Sequence, residues 1–159
     1  MNEYQLPNEK ATLEFAAEMG TFLQAGDVLV LAGDLGAGKT TFTKGLAKGL
    51  GIKEMIKSPT YTIIREYETG RLPLYHMDVY RVAEGAEELG LDEYFSGAGV
   101  CVVEWGELIP EELPENYIKI EIEAKENQRM LKIEHQGSQA LERIRAWQES
   151  IDEGGNKTV

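Results

Sequence analysis

Gly33-Asp34-Leu35-Gly36-Ala37-Gly38-Lys39-Thr40, followed by Thr41, is the stretch on which the reading of this chain turns. A glycine, four variable residues and then Gly-Lys-Thr make the P-loop pattern, which carries weight only where it joins a strand to a helix. Both flanks are present. Val28-Leu29-Val30-Leu31-Ala32 is a short apolar run between Gly26-Asp27 and Gly33, as expected of a buried strand in a parallel sheet. Beyond the loop, Phe42, Leu46 and Leu50 recur at four-residue spacing and mark one apolar stripe of a helix.

The residue types suit phosphate. Gly33, Gly36 and Gly38 allow backbone conformations closed to other residues, and bring N–H groups within reach of phosphate oxygens. Asp34, Leu35 and Ala37 complete this cradle, and the helix N-terminus behind it adds donors and partial positive charge. Lys39 is expected to reach the β- and γ-phosphates, the Thr40 hydroxyl to ligate Mg²⁺, and Thr41 to bond the α-phosphate. The competing reading, a glycine-rich turn that caps a helix and binds nothing, fits less well with strand before and helix after.

The 159 residues are one domain's worth, expected over residues 1–151, with residues 152–159 a disordered tail. Sixteen Lys and Arg against 28 Asp and Glu give a formal charge of −12, which argues against nucleic acid as a direct ligand and fits docking on a basic partner. Cys101 is the single cysteine and sits among valines, so it reads as a small buried hydrophobe in a reducing compartment. With no apolar signal core and no run of membrane-spanning length, a cytoplasmic location is expected, with no membrane contact.

In chain order, Tyr4-Gln5-Leu6 reads as an edge strand, and Asn8 as the N-cap of a helix that packs on the sheet. Gly49-Leu50-Gly51 ends the P-loop helix. Residues 60–67 and 72–78 read as a hairpin turning at Thr69-Gly70, with Pro73 at an edge or strand start. Residues 84–95 read as a short helix, a glycine break and another helical turn. A second fully apolar strand, 99–104, follows, and then a proline-bounded acidic loop from Leu108 to Pro114. Alternation around Ile118-Ile122 and Leu131-Ile133 predicts a second hairpin with one wet face, and Ser138 opens a last helix.

A P-loop enzyme needs a further metal anchor and a group that positions water. Glu104 ends the second apolar strand, on the edge where open α/β sheets bind ligands, and could hold Mg²⁺ directly or through water. Asp78, in His76-Met77-Asp78-Val79-Tyr80-Arg81, could hold a metal-bound water or orient the nucleophile; a salt bridge to Arg81 is the alternative. Thr60 is similar to a switch threonine that senses a γ-phosphate, although a threonine at a strand start is also ordinary. Trp105 either packs over the site or belongs to the core. His76 and His135 lie in separate strands without metal-ligand spacing, and neither is assigned a metal.

Taken together, the P-loop through Thr41, Ser58-Pro59-Thr60-Tyr61, His76 to Arg81 and Val103-Glu104-Trp105 resemble the TsaE (YjeE) family, over about Leu6 to Ile133. The resemblance implies an α/β, P-loop NTPase-like three-layer fold with a mixed central sheet. It implies Mg²⁺-dependent ATP hydrolysis in threonylcarbamoyladenosine modification of tRNA, with TsaB and TsaD as partners and hydrolysis resetting their complex. Contact with tRNA would be indirect. By the same resemblance Lys39 and Thr40 match the phosphate and Mg²⁺ residues, and Asp78 and Glu104 the required acids, Glu104 as metal ligand. Trp105 matches the neighbouring tryptophan, and Ser58 to Tyr61 a switch-like segment. The pattern carries no signal for an oligomeric state.

Two rivals stand beside this reading. A small-molecule kinase also opens on a P-loop, but carries paired lid arginines, whereas Arg65, Arg71 and Arg81 are scattered around the first hairpin. A nucleotide-gated binding module would signal through its bound state rather than through turnover. A GTPase is disfavoured, since Asn156-Lys157-Thr158 lacks the aspartate of the guanine-reading motif. With no arginine placed to stabilise a transition state, hydrolysis by the chain alone is expected to be slow and to rise with partners.

Overall fold

The computed structural model describes residues 3–34, 36–59 and 63–153. Its strands are β1 (Glu3–Leu6), β2 (Val28–Ala32), β3 (Ile64–Tyr67), β4 (Leu74–Asp78), β5 (Val100–Glu104), β6 (Tyr117–Lys125) and β7 (Gln128–Gln136). Its α-helices are α1 (Glu9–Phe22), α2 (Lys39–Gly49), α3 (Leu91–Phe95) and α4 (Ser138–Glu153). The strands form one mixed sheet in the order β1-β7-β6-β2-β5-β4-β3. β6, β2, β5 and β4 run parallel, and the two hairpins add antiparallel strands on either side. β1 pairs antiparallel with β7 and forms the expected edge.

Period-two alternation assigns each residue of the central strands to one of two cores. On β5, Val100 and Val102 join Leu29, Leu31, Phe42, Leu46, Ile144 and Trp147 in the core beneath α1, α2 and α4. Cys101 and Val103 join Val28, Met77, Leu91 and Phe95 on the opposite face, covered by α3 and the 3₁₀ segment Tyr80–Glu88. Helices on both faces of a largely parallel centre make the three-layer α/β arrangement.

α1 starts where expected, with the Asn8 side chain accepting the N–H of Ala11 at 2.8 Å. It lies chiefly against α2 rather than directly on the sheet. The reason is glycine: a Cβ on Gly45 would come within 2.6 Å of Ala16 Cβ, and one on Gly49 within 2.1 Å of the Ala17 carbonyl. These backbones meet too closely for any side chain.

β3 spans Ile64–Tyr67, and residues 60–62, the expected start of the strand, lie outside the described residues. A 3₁₀ turn at Gly106–Leu108 leads into the Leu108–Pro114 loop, which contains a second at Pro110–Glu112 with proline at its start. α4 extends through Glu153, and residues 154–159 of the expected tail lie outside the described residues. Among the described residues no helix is long and apolar enough to cross a membrane.

Candidate functional site

The carboxyl ends of β2, β5 and β4 lie side by side, and what each carries there makes the site. β2 runs into the loop Gly33–Gly38 and on into α2. Gly33, Gly36 and Gly38 have φ of 151°, 82° and 113°, in the region that favours glycine. At Gly33 the constraint is also steric, since a Cβ would sit 2.5 Å from the Ile122 carbonyl. Gly38 precedes the first turn of α2, whose N-terminus has no side-chain cap. That turn presents main-chain donors and the positive end of the helix dipole, the arrangement that receives an anion. Leu35 and Thr60, both expected to contribute, lie outside the described residues.

Strand register brings the acids together. Asp78 and Glu104 are directly paired neighbours on β4 and β5, and His76 pairs with Val102 one step earlier. Leu74, His76 and Asp78 share one face of β4, while Val100, Val102 and Glu104 share the same face of β5, the face covered by α2. Lys39, His76, Asp78 and Glu104 are the charged or imidazole side chains buried among the described residues, at 6%, 0%, 6% and 5% exposure. Such side chains are rarely buried unless a site needs them, and here they converge.

Each has a definite local partner. Lys39 Nζ donates to the Gly33 carbonyl at 2.8 Å and lies 3.9 Å from the centroid of the Trp105 ring. Trp105 is half-buried and does both things the sequence offered: its ring lies against Lys39 Nζ and also packs on the core of Cys101, Val103 and Ile109. It adopts φ of 66°, an outlier for an aromatic residue, and its ring is also 5.0 Å from that of Tyr80. Asp78 Oδ1 accepts the N–H of Tyr80 at 3.0 Å, a turn that fixes its carboxylate at the strand end. Glu104 Oε2 lies 2.6 Å from His76 Nε2. Thr40 and Thr41 follow Lys39 on the first turn of α2, and both are part-exposed.

Two contributions were not legible in the sequence. His76 is a partner of Glu104, although no spacing connects residues 28 positions apart. Arg129, which the sequence reading did not single out, reaches the P-loop: a Cβ on Gly38 would lie 3.2 Å from its Nε. Arg129 lines a cleft of about 320 Å³ with Asn8, Thr12, Gly38, Thr41 and Asn127, beside the start of α2.

Arg65 and Arg71, two of the arginines scattered around the first hairpin, are each held by main-chain carbonyls. Arg71 Nη2 lies 3.0, 3.0 and 2.7 Å from the carbonyls of Gly20, Thr21 and Leu23, at the C-terminal end of α1 and the sheet edge opposite the site. Arg65 donates to the Ser58 carbonyl at 3.2 Å.

Comparison with known proteins shows the family. Residues 6–131 match the family model described as threonylcarbamoyl adenosine biosynthesis protein TsaE. The tRNA threonylcarbamoyladenosine biosynthesis protein TsaE of Bacillus subtilis is 57% identical over 120 residues, covering 76% of each chain. Its namesake in Treponema pallidum is 51% identical over 113 residues, 70% of this chain and 83% of that one. The crystal structure of Bacillus subtilis YdiB superposes with a TM-score of 0.83 at 45% identity, over 93% of this chain and 94% of that chain. A P-loop facing two buried carboxylates, on this sheet and with these relatives, has one outcome: the chain belongs to the TsaE family of P-loop ATPases of tRNA threonylcarbamoyladenosine biosynthesis.

Proposed function

We propose that this chain binds ATP with Mg²⁺ at the P-loop and hydrolyses it in the cytoplasm, acting with TsaB and TsaD so that hydrolysis resets their complex between rounds of tRNA modification. The observation that carries the proposal is the burial of Lys39, at the uncapped start of α2, and of Asp78 and Glu104, paired at the carboxyl ends of β4 and β5 beside β2. The donor set fits the ligand: a loop whose three glycines hold positive φ, a main-chain anion site, and oxygen ligands suited to Mg²⁺.

In this reading Gly33, Asp34, Leu35, Gly36, Ala37 and Gly38 surround the phosphates with main-chain donors, and Thr41 adds a hydroxyl. Lys39 exchanges the Gly33 carbonyl for β- and γ-phosphate oxygens. The Thr40 hydroxyl and Glu104 carboxylate hold the metal. Held there, Mg²⁺ would supply positive charge against the charge that builds up on the phosphates. Asp78, fixed by the turn at Tyr80, orients the attacking water, and Trp105 covers Lys39 against solvent. Thr60 senses the γ-phosphate. The cleft beside Gly38 and Thr41, with Arg129 and Asn8 on its walls, takes the nucleoside.

The test is phosphate release from ATP with Mg²⁺, by the chain alone and with TsaB and TsaD. Slow turnover alone and a clear rise with partners is the expected result; an arginine supplied in trans can be worth about three to five decades. An unchanged rate in the reconstituted mixture would count against the partner role. Rapid phosphoryl transfer to a metabolite with little release to water would favour a kinase. Partner function retained by a Glu104→Ala protein without turnover would favour a binding module.

A further inference from the structure

We propose that His76 is a positioning residue for the metal site: its Nε2–H holds one oxygen of Glu104 so that the other is presented to Mg²⁺. The inference rests on the reading of Glu104 as a metal ligand, and it assigns a role to a side chain that never touches nucleotide.

The geometry is specific. The imidazole is fully buried on β4, on the face shared with Glu104, and its Nε2 lies 2.6 Å from Glu104 Oε2. Its other nitrogen, Nδ1, is buried with no hydrogen-bond partner among the described residues. That asymmetry selects the tautomer. A buried N–H left unpaired costs more than a bare ring nitrogen, so the proton belongs on Nε2, where a carboxylate accepts it. A leucine or methionine in this place would strand no polar atom; the imidazole strands one, and its compensation is the bond to Glu104. Among the described residues no hydrogen bond is made to Glu104 Oε1. One oxygen is therefore tied from beneath the sheet edge and the other is left for the ion. A hydrogen bond that orients a carboxylate ligand in this way tunes metal affinity, and losing such a bond typically costs 10–100-fold.

Three variants separate this role from simple packing. His76→Gln keeps an N–H near the position of Nε2, His76→Asn carries an amide too short to reach, and His76→Leu fills the space without a donor. Each is titrated with Mg²⁺ while the binding of a fluorescent, non-hydrolysable ATP analogue is followed, with EDTA as the metal-free reference and thermal unfolding as the check on folding. The expected result is unchanged affinity in EDTA for all three. The Mg²⁺ concentration for half-maximal effect should rise about 10–100-fold in the Asn and Leu variants and stay within about threefold of wild type in the Gln variant. Should the Leu variant not fold, the contrast between Gln and Asn decides. An Asn or Leu variant with a wild-type Mg²⁺ response, however unstable, would overturn the proposal, as would a Gln variant as impaired as Asn. A wild-type protein whose nucleotide binding ignores Mg²⁺ would instead overturn the reading of Glu104 itself, and this proposal with it.

Discussion

At the scale of single residues, Lys39 is the most exposed to test. Replacing it with alanine removes both its charge-assisted phosphate bonds and the cation over Trp105, so ATP binding should weaken about 10–100-fold and tryptophan emission should shift. Unchanged affinity and an unchanged spectrum would remove Lys39 from the site. Cys101 makes a different prediction. Burial pushes its thiol from 9.0 up to about 12, so iodoacetamide at pH 8 should leave the native protein unmodified and label it fully in denaturant, as mass spectrometry would read. The sign of the linkage follows. The folded state keeps a proton that the unfolded state gives up, so this stability is whole below pH 9 and is lost as pH climbs toward 12, by at most about 1.4 kcal/mol per pH unit. Urea titrations at pH 8 and 10.5 should show that loss in wild type and less of it in Cys101→Val. Lys39 and Glu104 were legible because a motif and a strand end announce them. His76 was not, because its meaning lies in a cross-strand neighbour that no local spacing encodes.

At the scale of elements, the meeting of α1 and α2 is the sharpest constraint. Gly45→Ala should lower stability by about 1–3 kcal/mol in urea denaturation, since its new methyl meets Ala16 and the Leu13 carbonyl, both at 2.6 Å. Gly85→Ala, where nothing lies within 4 Å, should stay within about 0.5 kcal/mol. The strands were readable because buried parallel strands are unbroken apolar runs and half-buried ones alternate; β2, β5, β6 and β7 follow this closely. The 3₁₀ turns after Glu104 were less so. Periods of three residues are too short to show in a hydrophobic pattern, and proline and acidic residues suit loop and helix start alike. That α1 rests on α2 was also hidden, because a glycine stripe becomes informative only beside the helix it admits.

At the scale of the molecule, charge decides what approaches. The formal charge is −12, and Asp34, Glu107, Glu121 and Glu123 rim a cleft of about 430 Å³ along the P-loop, with Lys119 the one base among its described lining residues. The chain alone should therefore fail to retard tRNA in a native gel at physiological salt; a shift there would show direct contact and sink the indirect role. The order of strands across the sheet was beyond the sequence, since hairpins specify neighbours but not the side on which they are added. The resemblance to a family, rather than periodicity, supplied the mixed sheet. One anchor has a reach larger than its size. Arg71 fastens the turn of the β3–β4 hairpin to the end of α1, so the strand bearing His76 and Asp78 is moored at its far end like a lever on a pin. β4 is also laddered to β5 along its length, from Leu74 opposite Val100 to Asp78 opposite Glu104, so pin and ladder together hold His76 and Glu104 in one frame.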